Sequence, residues 1–202
     1  MRVGPVLPGV HRAQPRAPGY NRVAAPPGPG PVERRHPMTP HLIVEPLADH
    51  AGLCPVVAQW FRNEWPRWYG PGGPGDADAD AAAYAASRTR LPVGVIAFER
   101  GVPVGLAALK AEGLPTHPHL TPWAAAGYVV PSRRGRGIGA ALLRELVRLA
   151  GTLGFPRVYC GTATAVRLLQ REGWQQIDTV RHDGEALAIF CTSAVPVQTE
   201  KP

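Results

Sequence analysis

The residues of this chain best suited to chemistry lie in one short segment rich in glycine and arginine. The segment contains Arg133, Arg134, Gly135, Arg136, Gly137 and Gly139. Glycines have no Cβ, so a phosphate can approach the backbone N–H groups closely, and the arginines add positive charge. If a helix begins inside the segment, its first N–H groups lack partners and its dipole adds further positive charge. These residue types therefore predict a site for a phosphorylated ligand.

The residues on either side predict the strand and the helix that such a site needs. Residues 123–130 are predicted to form a strand, which Pro131 ends. Residues 137–150 are predicted to form an amphipathic helix. That helix would place four apolar side chains on one face: Ile138, Leu142, Leu146 and Leu149. The spacing Arg-x-x-Gly-x-Gly is weakly specific by itself, so the prediction depends on this strand-to-helix context.

Two other phosphate-binding loops fit the segment less well. A nucleotide-binding loop of the Walker type needs Lys and then Ser or Thr after its last glycine, but Ala140 and Ala141 follow here. The spacing Gly135-x-Gly137-x-x-Ala140 loosely fits a dinucleotide fingerprint, but the next predicted strand, residues 157–161, has no acidic residue at its end. The segment therefore favours the pyrophosphate of an acyl-CoA.

The rest of the chain from residue 41 predicts further strands and helices in alternation. Predicted strands cover residues 42–44, 93–98, 102–110, 157–161, 174–180 and 186–191, and predicted helices cover residues 51–65, 76–90 and 163–171. Residues 66–75 and 114–122 are predicted to be loops. This order predicts an α/β (α+β) fold in which helices pack on a mixed sheet.

The first 37 residues differ from the rest in composition. They contain nine Pro and five Gly and show no helical or strand period, which predicts a disordered extension. Their six Arg and one Glu supply +5 of the chain's net charge of +7. The remaining residues are therefore close to neutral, and the charge does not predict a nucleic-acid partner.

Three segments follow from this composition. Residues 1–37 are predicted to be a disordered extension, residues 38–195 one domain, and residues 196–202 a disordered tail. Met38 starts a sequence typical of the beginning of a domain, and we hypothesise that it is the true initiator.

Several classes of protein are not favoured by the sequence. No run of about 18 apolar residues predicts a membrane span, and the first residues lack the apolar stretch of a secretory signal. Cys54, Cys160 and Cys191 are widely spaced, so neither a disulfide framework nor a zinc site is predicted. We therefore expect a cytoplasmic protein without a metal or a membrane partner, and a monomer and a homodimer both remain open.

Two segments resemble the GNAT superfamily of N-acetyltransferases. Residues 133–139, followed by Ala-Ala-Leu-Leu, resemble its acetyl-CoA motif, and residues 170–174, Gln-Arg-Glu-Gly-Trp, resemble the segment after its fourth helix. The resemblance spans about residues 41–193. Residues 63–66 and 120–123 are similar to a bacterial branch related to protein N-terminal acetyltransferases. The resemblance implies a central twisted mixed sheet flanked by about four helices, with acetyl-CoA as co-substrate.

The same resemblance implies which residues hold the donor. In this family the strand before the loop splays from its neighbour, and its backbone binds the pantetheine arm. Loop N–H groups hold the pyrophosphate. The implied donor-binding residues are Tyr128, Val129, Val130, Arg134, Gly135, Arg136, Gly137, Ile138, Gly139 and Ala140. Backbone at Val129 or Val130 would also polarise the thioester carbonyl.

The resemblance also implies a mechanism. It implies direct attack by a neutral primary amine on acetyl-CoA, with a general acid for the leaving thiolate. Many members have a tyrosine as that acid, but the matching position here is Leu169. Our candidate catalytic residues are Glu64, Tyr159 and His117. The alternative is a module that binds acyl-CoA without catalysis.

Overall fold

The computed structural model describes residues 42–182 and 184–194. The predictions for the extension at residues 1–37, for an initiator at Met38 and for the tail at residues 196–202 lie outside these described residues. In the part of the chain that is described, no helix is long and apolar enough to cross a membrane.

Seven strands and five α-helices occupy the described residues. The strands are β1 (Leu42–Pro46), β2 (Val93–Glu99), β3 (Val102–Lys110), β4 (Trp123–Val129), β5 (Arg157–Thr162), β6 (Gln175–His182) and β7 (Glu185–Ser193). The helices are α1 (Cys54–Glu64), α2 (Pro66–Tyr69), α3 (Ala77–Ala85), α4 (Ile138–Thr152) and α5 (Val166–Arg171). Short 3₁₀ helices at Leu47–Leu53 and Pro131–Arg133 precede α1 and α4.

The strands form one mixed sheet in the order β1-β2-β3-β4-β5-β7-β6. Neighbouring strands are antiparallel except β4 and β5, which run parallel. Helices α1 to α3 pack on one face, and α4 and α5 pack on the other. The predicted mixed sheet with packed helices is confirmed, and α2 raises the number of helices from about four to five.

Both faces of the sheet are apolar because alternate residues of a strand point to opposite sides. On β3, Leu106 and Ala108 are buried under α1 to α3, while Ala107 and Leu109 are buried on the side of α4. From α4, Leu142 and Leu146 pack into the latter core and are at most 2% exposed. Burying a leucine side chain contributes about 1.5–3 kcal/mol, so these two residues hold the helix firmly on the sheet.

Helix α2 lies inside residues 66–75, which were predicted to be a loop, so that part of the prediction is wrong. Proline is tolerated at the first helical position because its missing N–H has no intrahelical partner there. The turn starting at Pro66 is closed by the N–H of Tyr69, which donates to the carbonyl of Trp65 at 2.9 Å.

Helix α3 begins close to its predicted start but ends earlier. The Asp76 carboxylate caps it by accepting hydrogen bonds from the N–H groups of Asp78 at 3.1 Å and Ala79 at 3.0 Å. The helix ends at Ala85 instead of residue 90. The hydroxyl of Ser87 accepts the N–H groups of residues 89 and 90, at 3.1 and 3.0 Å, and this turn competes with the helix.

Candidate active site

The parallel pair β4 and β5 opens into a gap. Trp123 of β4 pairs with Tyr159 of β5, and no later residue of β4 has a partner on β5. The single pair involves the first residue of β4, so the unpaired stretch extends to the carboxyl end of that strand. The loop that follows β4 therefore lies at the mouth of this gap.

A bulge in β4 accompanies the gap. Ala108 of β3 pairs with Ala125, whereas Leu106 pairs with Tyr128, so β4 has an extra residue in this stretch. Ala126, inside the bulge, has a φ of 53°, which a residue with a side chain seldom adopts. Bulges bend the strand that carries them. The bulge lies in the part of β4 that no longer pairs with β5.

The hydrogen bonds to β3 determine which backbone groups of β4 face the gap. Val130 donates its N–H to the carbonyl of Val104 at 2.9 Å. In an antiparallel ladder, alternate residues bond to the same neighbour, so the N–H and C=O of Val129 point the other way. The carbonyl of Val129 accepts a hydrogen bond from Arg134 Nε at 2.9 Å. The N–H of Val129 is therefore directed to the gap, and that of Val130 is engaged elsewhere.

The loop before α4 presents a run of unpaired donors. The N–H groups of residues 135–140 have no hydrogen-bond acceptor among the described residues, and the N–H of Ala141 is the next one paired, with the carbonyl of Gly137 at 3.0 Å. Gly135 and Gly137 have φ values of 77° and 83°, and a Cβ at either would meet no atom within 4 Å. Six donors at the start of a helix, with open space at Gly135 and Gly137, suit a pyrophosphate.

A cavity of about 550 Å³ lies where the gap meets this loop. It is lined by nine of the predicted site residues: Glu64, Tyr128, Val129, Arg134, Gly135, Gly137, Ile138, Gly139 and Ala140. Four predicted site residues are not part of its lining: Val130, Arg136, Tyr159 and His117.

Other lining residues were not predicted as site residues. Several belong to α4, to α5 and to the residues on either side of α5: Leu142, Leu143, Arg144, Thr164, Ala165, Leu168, Arg171 and Glu172. Ala107 and Gly127 line the cavity from the sheet, and Arg133 lines it from the 3₁₀ turn. The resemblance of residues 170–174 to the family segment was the available signal for the α5 wall, since it contains Arg171 and Glu172.

Several charged side chains around the cavity are paired with each other in ion pairs. Arg134 Nη2 lies 2.8 Å from Glu64 Oε2, and the Arg144 guanidinium makes two bonds to Glu172, at 2.7 and 3.1 Å. Arg171 has no acidic partner within 4 Å among the described residues, although its Nε donates to the Arg167 carbonyl at 3.3 Å. Its charge is therefore available to a polyanionic ligand.

Tyr128 and Glu64 form part of one cluster on the α1 side of the sheet. The Tyr128 ring stacks on Trp60 with centroids 5.1 Å apart, and the Arg134 guanidinium lies 5.9 Å from its centroid. Burial raises the pKa of the Tyr128 phenol, the Glu64 carboxylate raises it further, and Arg134 partly opposes both effects. Arg134 thus links the end of α1, the end of β4 and the loop before α4.

The structure places the candidates Tyr159 and His117 outside the cavity lining. Tyr159 packs against Trp123, with ring centroids 6.0 Å apart, at the closed end of the β4–β5 pair. His117 Nε2 lies 3.1 Å from Asp178 of β6, and its Nδ1 lies 3.0 Å from the Thr116 hydroxyl. Both side chains are therefore engaged in contacts away from the loop and the gap.

Leu169 is fully buried and also does not line the cavity. It packs in the core formed with α4, and the neighbouring Leu168 faces the cavity instead. Burial raises the pKa of the Cys160 thiol to about 12, so this cysteine does not supply a thiolate near neutral pH. Among residues 42–182 and 184–194, no group of three or more His, Cys, Asp or Glu side chains could hold a metal ion.

Known structures share this architecture. An aminoglycoside 6'-N-acetyltransferase complexed with coenzyme A superposes with a TM-score of 0.62 at 14% identity, covering 76% of this chain and 98% of its own. The protein yncA from Salmonella typhimurium, solved with its cofactor acetyl-CoA, gives 0.57 at 20% identity, covering 80% and 97%. A GCN5-related N-acetyltransferase from Kribbella flavida gives 0.57 at 23% identity, covering 75% and 97%. These identities establish a shared fold.

The sequence comparison identifies the family. No curated protein sequence matches the chain. Residues 56–174, more than half of the chain, match the acetyltransferase (GNAT) family. This range contains the gap, the bulge and the loop before α4, so the match covers the donor side of the candidate site. The chain belongs to the acetyltransferase (GNAT) family.

Proposed function

We propose that this protein transfers an acetyl group, or another short acyl group, from acetyl-CoA to a primary amine by direct attack. The observation that carries the proposal is the run of N–H groups at residues 135–140, which have no acceptor among the described residues. The run lies at the positive end of the α4 dipole and beside the β4–β5 gap. Acetyl-CoA has a pyrophosphate followed by an extended arm. The loop of unpaired N–H groups suits the pyrophosphate, and the gap between β4 and β5 suits the arm.

The residues around the loop and the gap fit this donor. Gly135 and Gly137 leave open space for the phosphate oxygens, and Arg171 adds a cation without an acidic partner among the described residues. Acetyl-CoA supplies a thioester carbonyl that an amine can attack. We assign the N–H of Val129 as the donor to that carbonyl oxygen, because the N–H of Val130 is already bonded to Val104.

We assign Glu64 to the acceptor side of the site. Its carboxylate lines the cavity from the end of α1, and its side chain is 14% exposed. A carboxylate there attracts the ammonium form of an amine and can receive its proton through a water molecule. Arg134 holds the carboxylate in place at 2.8 Å. The roles of Tyr159 and His117 stay predictions from the sequence, as do the cytoplasmic location and the choice between monomer and homodimer.

The alternative function is a module that binds acyl-CoA without turnover. It is supported by Leu169, because leucine cannot protonate a leaving thiolate where the family resemblance implies a tyrosine. Both functions use the same donor loop, so binding of acetyl-CoA does not separate them. They differ in whether an amine triggers release of free CoA thiol.

The test combines binding with turnover on the full chain. Acetyl-CoA binding is measured by calorimetry, and thiol release is measured with a panel of amines. The panel includes an aminoglycoside, because a structural neighbour acetylates that class, together with amino acids, polyamines and peptides with free N-termini. We expect binding and thiol release with at least one amine. Binding without release would support the alternative, and absence of binding would overturn both functions.

A further inference from the structure

The departing thiolate must take up a proton, either from a side chain of the site or from solvent. The cavity is lined by four arginines, and a guanidinium does not release its proton in a protein. Its two carboxylates, Glu64 and Glu172, accept hydrogen bonds from arginines at 2.8 and 2.7 Å. The hydroxyl of Thr164 is too weak an acid. No histidine, cysteine or lysine of the described residues lines the cavity.

Tyr128 is the lining residue that remains. A phenol is close to a thiol in acidity, so it can give a proton to a thiolate and recover it. The side chain is 7% exposed. Its hydroxyl has no hydrogen-bond partner among the described residues, and it is not one of the fully enclosed polar atoms. The hydroxyl of this lining residue is therefore not fully enclosed, and no described residue accepts its proton.

The position of Tyr128 suits this role. Tyr128 directly precedes Val129, whose N–H faces the gap and is proposed to bind the thioester carbonyl oxygen. The phenol and that N–H therefore come from consecutive residues of one strand. The stacking on Trp60 at 5.1 Å fixes the ring, and Arg134 lies on it at 5.9 Å. A ring held in this way delivers its proton from a defined place.

The charged groups around the phenol favour its protonated form. Burial between β4 and α1 raises its pKa, and the carboxylate of Glu64 on α1 acts in the same direction. The guanidinium of Arg134, from the loop, lowers it by a smaller amount. The group therefore carries its proton throughout the neutral pH range.

We infer that Tyr128 is the catalytic acid of this enzyme, a role that rests on the proposed function. The amine nitrogen forms a bond to the carbonyl carbon, the carbon–sulfur bond breaks, and its electron pair goes to sulfur. Tyr128 transfers its proton to that sulfur, which gives the free CoA thiol. The proton lost by the attacking nitrogen passes through Glu64 and water and restores the phenol.

The test compares Tyr128→Phe with Tyr159→Phe in the full chain. Tyr128→Phe keeps the ring, its stacking and the backbone of β4, so we expect the Kd for acetyl-CoA and the Tm to stay close to wild type. General acids contribute about 100-fold or more to rate, so kcat should fall by about that factor. Tyr159→Phe removes the hydroxyl at the closed end of the gap and tests the rival tyrosine.

A second measurement does not depend on turnover. The pKa of the thiol of bound CoA is followed by the ultraviolet absorbance of the thiolate as pH rises. A hydrogen bond from Tyr128 stabilises the thiolate, so Tyr128→Phe should raise that pKa, and Tyr159→Phe should leave it unchanged. Wild-type kcat in Tyr128→Phe, or loss of kcat in Tyr159→Phe alone, would overturn the role. A wild-type protein that binds acetyl-CoA and transfers nothing would overturn the proposed function itself.

Discussion

Substitution of Gly137 by Glu places a carboxylate where the pyrophosphate is expected. Gly137 is the N-cap of α4, with φ 83°, and a Cβ there would meet no atom within 4 Å. Two effects follow from this geometry. A side chain in the left-handed region costs about 1–2 kcal/mol of stability, and the new charge repels the ligand phosphates.

The two effects have separate magnitudes and separate readouts. For unit charges about 5 Å apart at an effective dielectric constant of about 20, the repulsion is about 3 kcal/mol. The Kd for acetyl-CoA, measured by calorimetry, should therefore rise by about 100-fold. The backbone strain should lower the Tm by about 2–8 °C, as measured by differential scanning calorimetry, with the fold retained.

Gly154 provides the matched control. It lies just beyond the other end of α4 with φ 87°, a Cβ there would also meet no atom within 4 Å, and it does not line the cavity. Gly154→Glu should therefore lower the Tm by a similar amount and leave the Kd unchanged. A Gly137→Glu protein with wild-type affinity, or equal losses of affinity in both variants, would refute the assignment of the loop.

Three further predictions concern single side chains. Glu64→Gln removes the carboxylate from the acceptor side, so steady-state kinetics should show kcat/KM for the amine lowered by about 10-fold or more with the acetyl-CoA Kd nearly unchanged. Lys110→Met should raise the Tm at pH 7, because burial lowers the pKa of Lys110 and its charged form is disfavoured in the folded state. Asp76→Ala removes the cap of α3 and should cost about 1 kcal/mol in urea unfolding.

Each of these predictions has an outcome that would contradict it. Asp78→Asn neutralises an exposed carboxylate paired with Arg62 outside the cavity, and equal loss of activity in it would contradict the role of Glu64. The folded pKa of Lys110 lies below its ordinary value of 10.5, so the gain from Lys110→Met should disappear above that pH. A gain that persists there would not come from the charge. Unchanged urea unfolding in Asp76→Ala would show that the cap is dispensable.

Sequence periodicity predicted much of the fold because it depends on short-range effects. The apolar spacing of α4 and the strand patterns of β2 and β3 are both local, and the structure has these elements. Two helix boundaries were predicted wrongly because side chains compete there for backbone groups. The Ser87 hydroxyl shortened α3, and the Thr162 hydroxyl, which accepts the N–H groups of residues 164 and 165, delayed α5 to Val166.

The candidate site also has features that are local in the sequence and features that depend on tertiary contacts. By itself the sequence determined the make-up of the loop proposed to bind phosphate, because its glycines, its arginines and the start of α4 are neighbours along the chain. The ion pair of Arg134 with Glu64 joins residues 70 positions apart, and only the tertiary structure decided it. The structure alone also decided that Tyr159 lies at the closed end of the gap and Tyr128 at the cavity. Such placements depend on strand pairing and on the bulge in β4, which bring together residues that no local spacing relates.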